Sequence, residues 1–154
     1  EEKVSPDIAD FKKTEGFRLP TEVEWEWFAR GGEVAIQDGT FNKTYAGSDN
    51  IEKVAWHYNN CKGETHDVGT KNPNQLGLYD CTGSVWEWCY DRTGGYGSKE
   101  KISSGELYIY DLNTKSHRLK GGSIDDYLIG VTERSYDGVY RRREYFGFRI
   151  VRTV

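Results

Sequence analysis

The sequence predicts an α+β fold of few short helices and short strands joined by much ordered loop, and three observations predict it. Aromatic residues make up 14% of the chain and glycine 18 of its 154 residues, while the apolar set reaches only 36%, so a core has to be built from large Trp and Tyr side chains joined by turns. One segment carries a complete helix signature, and the other regular segments are brief alternating runs. Between them lie dense Gly, Asn and Asp pairs. This pattern excludes a helical bundle, and the aromatic content excludes a disordered chain.

Taken in order, residues 1–15 allow one short helix, with Ile8 and Phe11 three apart and Gly16 as a stop. Thr21 and Glu24 form a T-x-x-E capping box after Pro20. Val23, Trp27 and Phe28 then share a face and Gly31-Gly32 end the run, which predicts a helix over 22–30. From Glu33 to about Gly77, pairs such as Asp38-Gly39 and Asn59-Asn60 punctuate too often for long elements, so ordered loops are expected. Alternating runs at 106–110, 118–123 and 148–154 read as strands, the last a terminal strand with Phe148 and Ile150 on one face. Trp86 and Trp88 alternate around Glu87, which suits an extended segment with core-forming rings on one side and the carboxylate on the other. No internal repeat is present, and 1–154 reads as a single domain.

The chain carries a net charge of −4 and a mean hydropathy of −0.81. No stretch approaches the roughly 18 consecutive apolar residues of a membrane-spanning helix. Charge is uneven: residues 1–117 hold 13 basic and 20 acidic side chains, and residues 118–154 hold 8 and 5. Part of the basic excess is the run Arg141, Arg142, Arg143, but three arginines among Asp125, Asp126, Asp137 and Glu144 do not make a nucleic-acid face. Cys61, Cys81 and Cys89 are odd in number and show neither CxxC nor CxxH spacing, so neither a disulfide framework nor a zinc site is indicated. His57, His66 and His117 show no close-spaced metal triad. The chain has no Met, so Glu1 is not a translation start and a processed or trimmed piece is expected.

Three dense blocks remain: GFRLPTEVEWEWFARGG at 16–32, VGTKNPNQLGLYDCTGSVWEWCYD at 68–91, and KGGS at 120–123 with GFRIV at 147–151. In this order they resemble the formylglycine-generating enzyme and sulfatase-modifying factor domain family. The resemblance implies a C-type lectin fold with little regular structure, of which this chain is expected to be a partial domain. It further implies a structural Ca²⁺ held by the side chains of Asp80 and Glu87 and the backbone oxygens of Gly83 and Val85. Two carboxylates bracketing a Gly-containing turn suit a hard cation, although the same pair can simply cap local amides. The family normally carries an N-terminal portion whose strand pairs with the terminal one, so that strand is expected to be missing here or supplied by a segment outside this numbering.

The family's enzymes oxidise a substrate cysteine with two copper-binding cysteines between GGS and GFR. Here that stretch, 124–146, contains none, and Cu(I) needs thiolate ligands, so no enzymatic activity is expected. The stretch instead mixes Tyr127, Tyr136, Tyr140 and Tyr145 with arginines and small residues, the composition of a binding surface. An ordinary solvated loop over buried tyrosines is the plainer alternative. Some members of the family are variable proteins diversified just before the final GFR by retroelements that randomise AAY codons. Such codons cannot encode Glu, Lys, Gln, Met or Trp, which make up 30 of the 131 residues outside the stretch and two of the 23 inside it.

The expectation is therefore a non-catalytic display protein whose variable stretch 124–146 contacts a protein ligand. The ligand-binding residues expected are Asp125, Asp126, Tyr127, Tyr136, Asp137, Val139, Tyr140, Arg141, Arg143 and Tyr145, exposed in one patch. Arg134 and Arg142 are expected to be scaffold residues tied to backbone or carboxylates. The rival readings are a formylglycine-generating oxidase or related iron enzyme, and a fixed-ligand sugar-binding or structural domain. The resemblance also implies a monomer at the cell surface or outside the cell, with no nucleic-acid partner. It would touch a membrane only through an upstream lipid anchor, as a lipoprotein does.

Overall fold

The computed structural model describes residues 16–92, 115–127 and 129–153; the short helix expected within 1–15 and the strand at 106–110 lie outside them. The elements in order are β1 (Gly16–Arg18), α1 (Glu22–Ala29), α2 (Gly32–Gln37), α3 (Ile51–Val54), β2 (Trp86–Arg92), β3 (Ser116–Lys120), β4 (Arg134–Gly138), β5 (Phe146–Gly147) and β6 (Val151–Thr153).

Helix α1 starts where its sequence says it should. The Thr21 hydroxyl accepts from the Glu24 amide at 3.1 Å, and the Glu24 carboxylate accepts from the Thr21 amide at 2.8 Å, closing the capping box. The buried face differs from the expected one. Glu22, Trp25, Phe28 and Ala29 point inward, whereas Trp27 is 46% exposed. A buried carboxylate at position 22 was unreadable as a core residue, and it rotates the inward stripe by about one residue's angle. Gly31, at φ +95, does end α1, but it also begins α2. The side-chain amide of Asn74 donates to the carbonyls of Phe28 and Ala29, satisfying the end of α1 so that the chain can turn and coil again. Helix α2 carries Val34 and Ile36 outward, so it shows no inward stripe in sequence.

Strand β2 is central. It pairs antiparallel with β3 and parallel with β5, and β3 pairs antiparallel with β4, giving the order β4-β3-β2-β5. A separate two-stranded sheet joins β1 and β6 antiparallel, Gly16 opposite Thr153 and Arg18 opposite Val151. The terminal strand thus has its partner within this chain, in Gly16–Arg18, contrary to the expectation that the partner would be missing. The terminal strand is also shorter than expected. Arg149 turns inward to Glu87, and the alternation that carries it there turns Phe148 and Ile150 out, 69% and 55% exposed.

The core cluster comprises Trp25, Phe28, Ala29, Ala46, Cys81, Cys89 and Val131, with Leu78 and Val151 packed against it. The side of β2 that meets this cluster is the Glu87 and Cys89 side, reversing the expected assignment of its two faces. Glu87 can be buried because its Oε2 accepts from the Trp25 indole at 2.7 Å and from Arg149 Nε at 2.6 Å, while its Oε1 accepts from Arg149 Nη2 at 2.6 Å. Trp86 lies buried on the opposite face, and Trp88 sits half-buried, edge-on to Phe146 at 5.3 Å.

Candidate functional site

The stretch 124–146 is clamped at its entry and exit and again along its length. At its entry Gly121 and Gly122 have φ of +97 and +75, and a Cβ on Gly122 would lie 2.2 Å from a carbon of Ile129, so this turn admits only glycine. Gly121 accepts from the Gly83 amide, and the Ile124 amide donates to Ser84, which ties the entry to the loop before β2. Within the stretch, Arg134 donates two hydrogen bonds to Glu22, both at 2.6 Å. Glu22 belongs to a buried ionic cluster: Arg118 lies 3.8 Å away and Lys120 Nζ 4.0 Å away, and Lys120 also reaches Glu26 at 3.1 Å. Lys120 is fully buried. At the exit, the Trp86 amide donates to the Tyr145 carbonyl, and Arg149 is locked to Glu87.

Between these clamps the expected binding residues separate into two groups. Tyr136 and Asp137 lie half-buried in β4; Val139, Tyr140, Arg141 and Arg143 are exposed beyond it, and Tyr145 is half-buried. Tyr140 is 78% exposed. Asp137 organises this group, accepting from Arg143 Nε at 3.2 Å with Arg141 Nε 3.8 Å away, and Arg143 donates to the Tyr145 hydroxyl. The second group is 125–127. Asp125 and Tyr127 are exposed, and the Tyr127 ring lies 4.1 Å from Tyr58. The backbone and indole of Trp86 tie the two groups to one residue.

Two side chains do not fit their expected roles. Asp126 is half-buried where exposure was expected, and it acts as an anchor: its carboxylate accepts from the Trp86 indole at 2.8 Å and from both the amide and the hydroxyl of Ser123. Arg142 is exposed and, among the described residues, pairs with nothing, so it belongs with the surface and not with the scaffold. Tyr58 was missed by sequence reasoning. It sits in a loop with no periodic pattern, and only the packing of 57–61 under 123–127 brings it to Tyr127.

In the expected metal loop, Asp80 adopts φ +56, and its Oδ2 accepts from the Gly69 amide at 2.7 Å. Its other oxygen, Oδ1, is buried with no hydrogen-bond partner. Among the described residues the carbonyl oxygens of Gly83 and Val85 accept no hydrogen bond, and Glu87 Oε1 accepts one. An orphaned buried carboxylate oxygen in the same loop as two uncommitted carbonyls has the donor chemistry for a hard cation, while Arg149 already neutralises much of the Glu87 charge.

The three cysteines are buried and unpaired; Cys81 lies before β2 and Cys89 within it, and the Cys61 thiol donates to the Ile124 carbonyl at the start of 124–146. Burial pushes the Cys81 thiol up to about 12, with Arg149 opposing and Glu87 reinforcing the shift. Burial likewise raises Cys89 well above its ordinary value, with Asp91 adding to the effect. Both are thiols at neutral pH, and a thiol is neither nucleophile nor soft-metal ligand. Among the described residues, no group of three or more His, Cys, Asp or Glu side chains converges.

The sulfatase-modifying factor enzyme 1-like domain family matches residues 4–154. The chaperone protein LppX of Paenibacillus barcinonensis is 34% identical over 119 residues, covering 64% of this chain and 41% of that protein. The formylglycine-generating enzyme of Streptomyces coelicolor is 33% identical over 99 residues, covering 55% and 29%. Among solved structures, CarF superposes with a TM-score of 0.74 at 32% identity, over 92% of this chain and 49% of CarF. Treponema denticola variable protein 1 superposes with a TM-score of 0.71 at 33% identity, over 88% and 47%. The chain spans less than half the length of these relatives. Its fold is accordingly the α+β, C-type-lectin-like fold of formylglycine-generating enzymes.

Proposed function

The chain belongs to the sulfatase-modifying factor enzyme 1-like domain family, and from that premise we propose that it is a non-catalytic ligand-binding protein whose stretch 124–146 contacts a protein ligand. One observation carries the reading. Where the family's enzymes place two cysteines, this chain has none; its own three cysteines lie outside the stretch, and burial keeps Cys81 and Cys89 protonated. No oxygen donor replaces a thiolate pair well toward Cu(I). Clamps at both ends of the stretch, with exposed Tyr and Arg side chains between them, support a face that changes its side chains while its backbone stays fixed. The likeness to Treponema denticola variable protein 1 is the ground for including in this proposal diversification of the stretch and display at the cell surface or outside the cell, by a monomer that would touch a membrane only through an upstream lipid anchor.

The same reading includes a structural Ca²⁺ held by Asp80 and Glu87 with the carbonyls of Gly83 and Val85, supported by the orphaned Asp80 Oδ1. The ion would fix the loop before β2, on which the entry to 124–146 rests. Calcium should raise the melting temperature, and a chelator should remove the gain in the wild type and not in Asp80→Asn. Catalysis is tested with a sulfatase-type cysteine peptide and supplied copper. No formylglycine should appear by mass spectrometry, and turnover would overturn the reading.

A further inference from the structure

Against β2 and β3 lies an open apolar hollow of about 410 Å³, lined among the described residues by Leu19, Trp88, His117, Val139 and Phe148. Five separate segments contribute one residue each. Four of these residues belong to the scaffold, and only Val139 belongs to 124–146. His117 adds no charge to the lining: its Nδ1 is bonded to the Cys89 carbonyl at 3.1 Å, and burial holds its pKa below the ordinary value. The volume is within the range of a ligand pocket, and the lining offers little to a charged group.

The surroundings have the opposite character. The Val139 amide donates to the Lys115 carbonyl, and Lys115 Nζ lies 5.6 Å from the centre of the Tyr140 ring. Arg141, Arg142 and Arg143 follow directly, all exposed. Against these four cations the same turn holds two carboxylates, Glu144 and Asp137. Asp137 stands opposite His117 in the β3–β4 register and is shared by Arg141 and Arg143. The hollow therefore has an apolar floor, and the turn that follows its Val139 carries excess positive charge.

We propose that the hollow takes one aromatic or branched side chain of a protein ligand, carried on an acidic segment whose carboxylates meet Lys115, Arg141 and Arg143. This rests on the reading of 124–146 as a ligand-binding surface and names its partner chemistry. An apolar anchor buried in a pocket with a charged rim is the usual division between affinity and orientation at an interface. Because four of the five described lining residues lie outside 124–146, the anchor preference would be common to all variants of the stretch. The residues that vary would tune the flanking sequence.

The test is an NMR titration of the full chain, following the Trp88 indole and His117 ring signals. The probes are the end-blocked peptide Asp-Asp-Phe-Asp-Asp, the same peptide with Ala for Phe, and the same peptide with Lys for Asp. The Phe-containing acidic peptide should give saturable shifts. Its affinity should fall at least tenfold with either control peptide, with Val139→Trp, which fills the hollow, and with Arg141→Glu/Arg143→Glu. Each variant is first shown to keep the wild-type spectrum elsewhere. Absence of saturable shifts, or equal affinity for all three peptides, overturns the proposal. So does binding to phosphatidylserine–phosphatidylcholine vesicles with no response to the peptides, which would make the face a membrane contact. Failure here leaves the display reading intact if 124–146 varies between sibling genes, whereas invariance there removes the display reading whatever the peptides do.

Discussion

Replacing Asp91 by Asn should stabilise the protein at neutral pH. Asp91 is 6% exposed, and its Oδ2 accepts from the Glu22 amide at 2.6 Å, at the start of α1. Burial is the largest influence on it. The Glu22 hydrogen bond opposes the shift and the Glu22 charge adds to it, so the carboxyl is pushed from 3.8 up to about 6. A folded pKa above the unfolded one means that the native state holds the proton more tightly. The associated stability is fully present below about pH 4 and is lost as pH rises through about 6. A shift of about two units is worth about 3 kcal/mol. Asn offers the same acceptor to the Glu22 amide without the charge, so Asp91→Asn should keep the hydrogen bond and lose this pH dependence. Urea unfolding from pH 4 to pH 8 measures it. The difference between variant and wild type should be small near pH 4 and grow to a few kcal/mol in favour of Asn at pH 7.5. Parallel stability profiles would refute the reasoning, because they would mean that Asp91 is ionised in the fold without penalty.

Lys120→Met removes the fully buried charge of a partly exposed cluster and leaves Glu26 with Arg30 alone and Glu22 with Arg118 and Arg134, so unfolding free energy should fall by about 3–5 kcal/mol; a change under 1 kcal/mol would mean that the three arginines suffice. Trp86→Ala should cost about 3–5 kcal/mol, because the ring is buried and its indole holds Asp126. Tyr140→Ala, at a 78% exposed position, should stay within about 0.5 kcal/mol. Comparable losses in urea unfolding would place Tyr140 in the core and count against a binding face.

What was legible in the sequence was local. The capping box of Thr21 and Glu24 specifies the start of α1 because both partners lie within one turn. Gly122 and the GFR arginine mark the limits of 124–146 because each is required by a contact that only that residue type makes: space for Ile129 in one case, a two-pronged grip on Glu87 in the other. What failed depended on partners far along the chain. The inward face of α1 is set by Glu22 meeting Arg134, 112 residues away. Asp126 looked like a surface carboxylate because its indole partner is 40 residues distant. The orientation of Trp-Glu-Trp in β2 followed the rule that rings go inside and carboxylates outside. Arg149 and Trp25 reverse it by satisfying the carboxylate within the core. Helix α2 escaped notice because its apolar side chains face outward.

The central claim is that a fixed scaffold presents a changeable face, and sequencing this gene from sibling isolates tests it most directly. The account predicts substitutions confined to 124–146 and concentrated at exposed positions such as Tyr127, Tyr140, Arg141 and Arg143, with Gly122, Arg134 and Arg149 unchanged. An invariant stretch, or changes spread evenly through the clamps and the core, would contradict it.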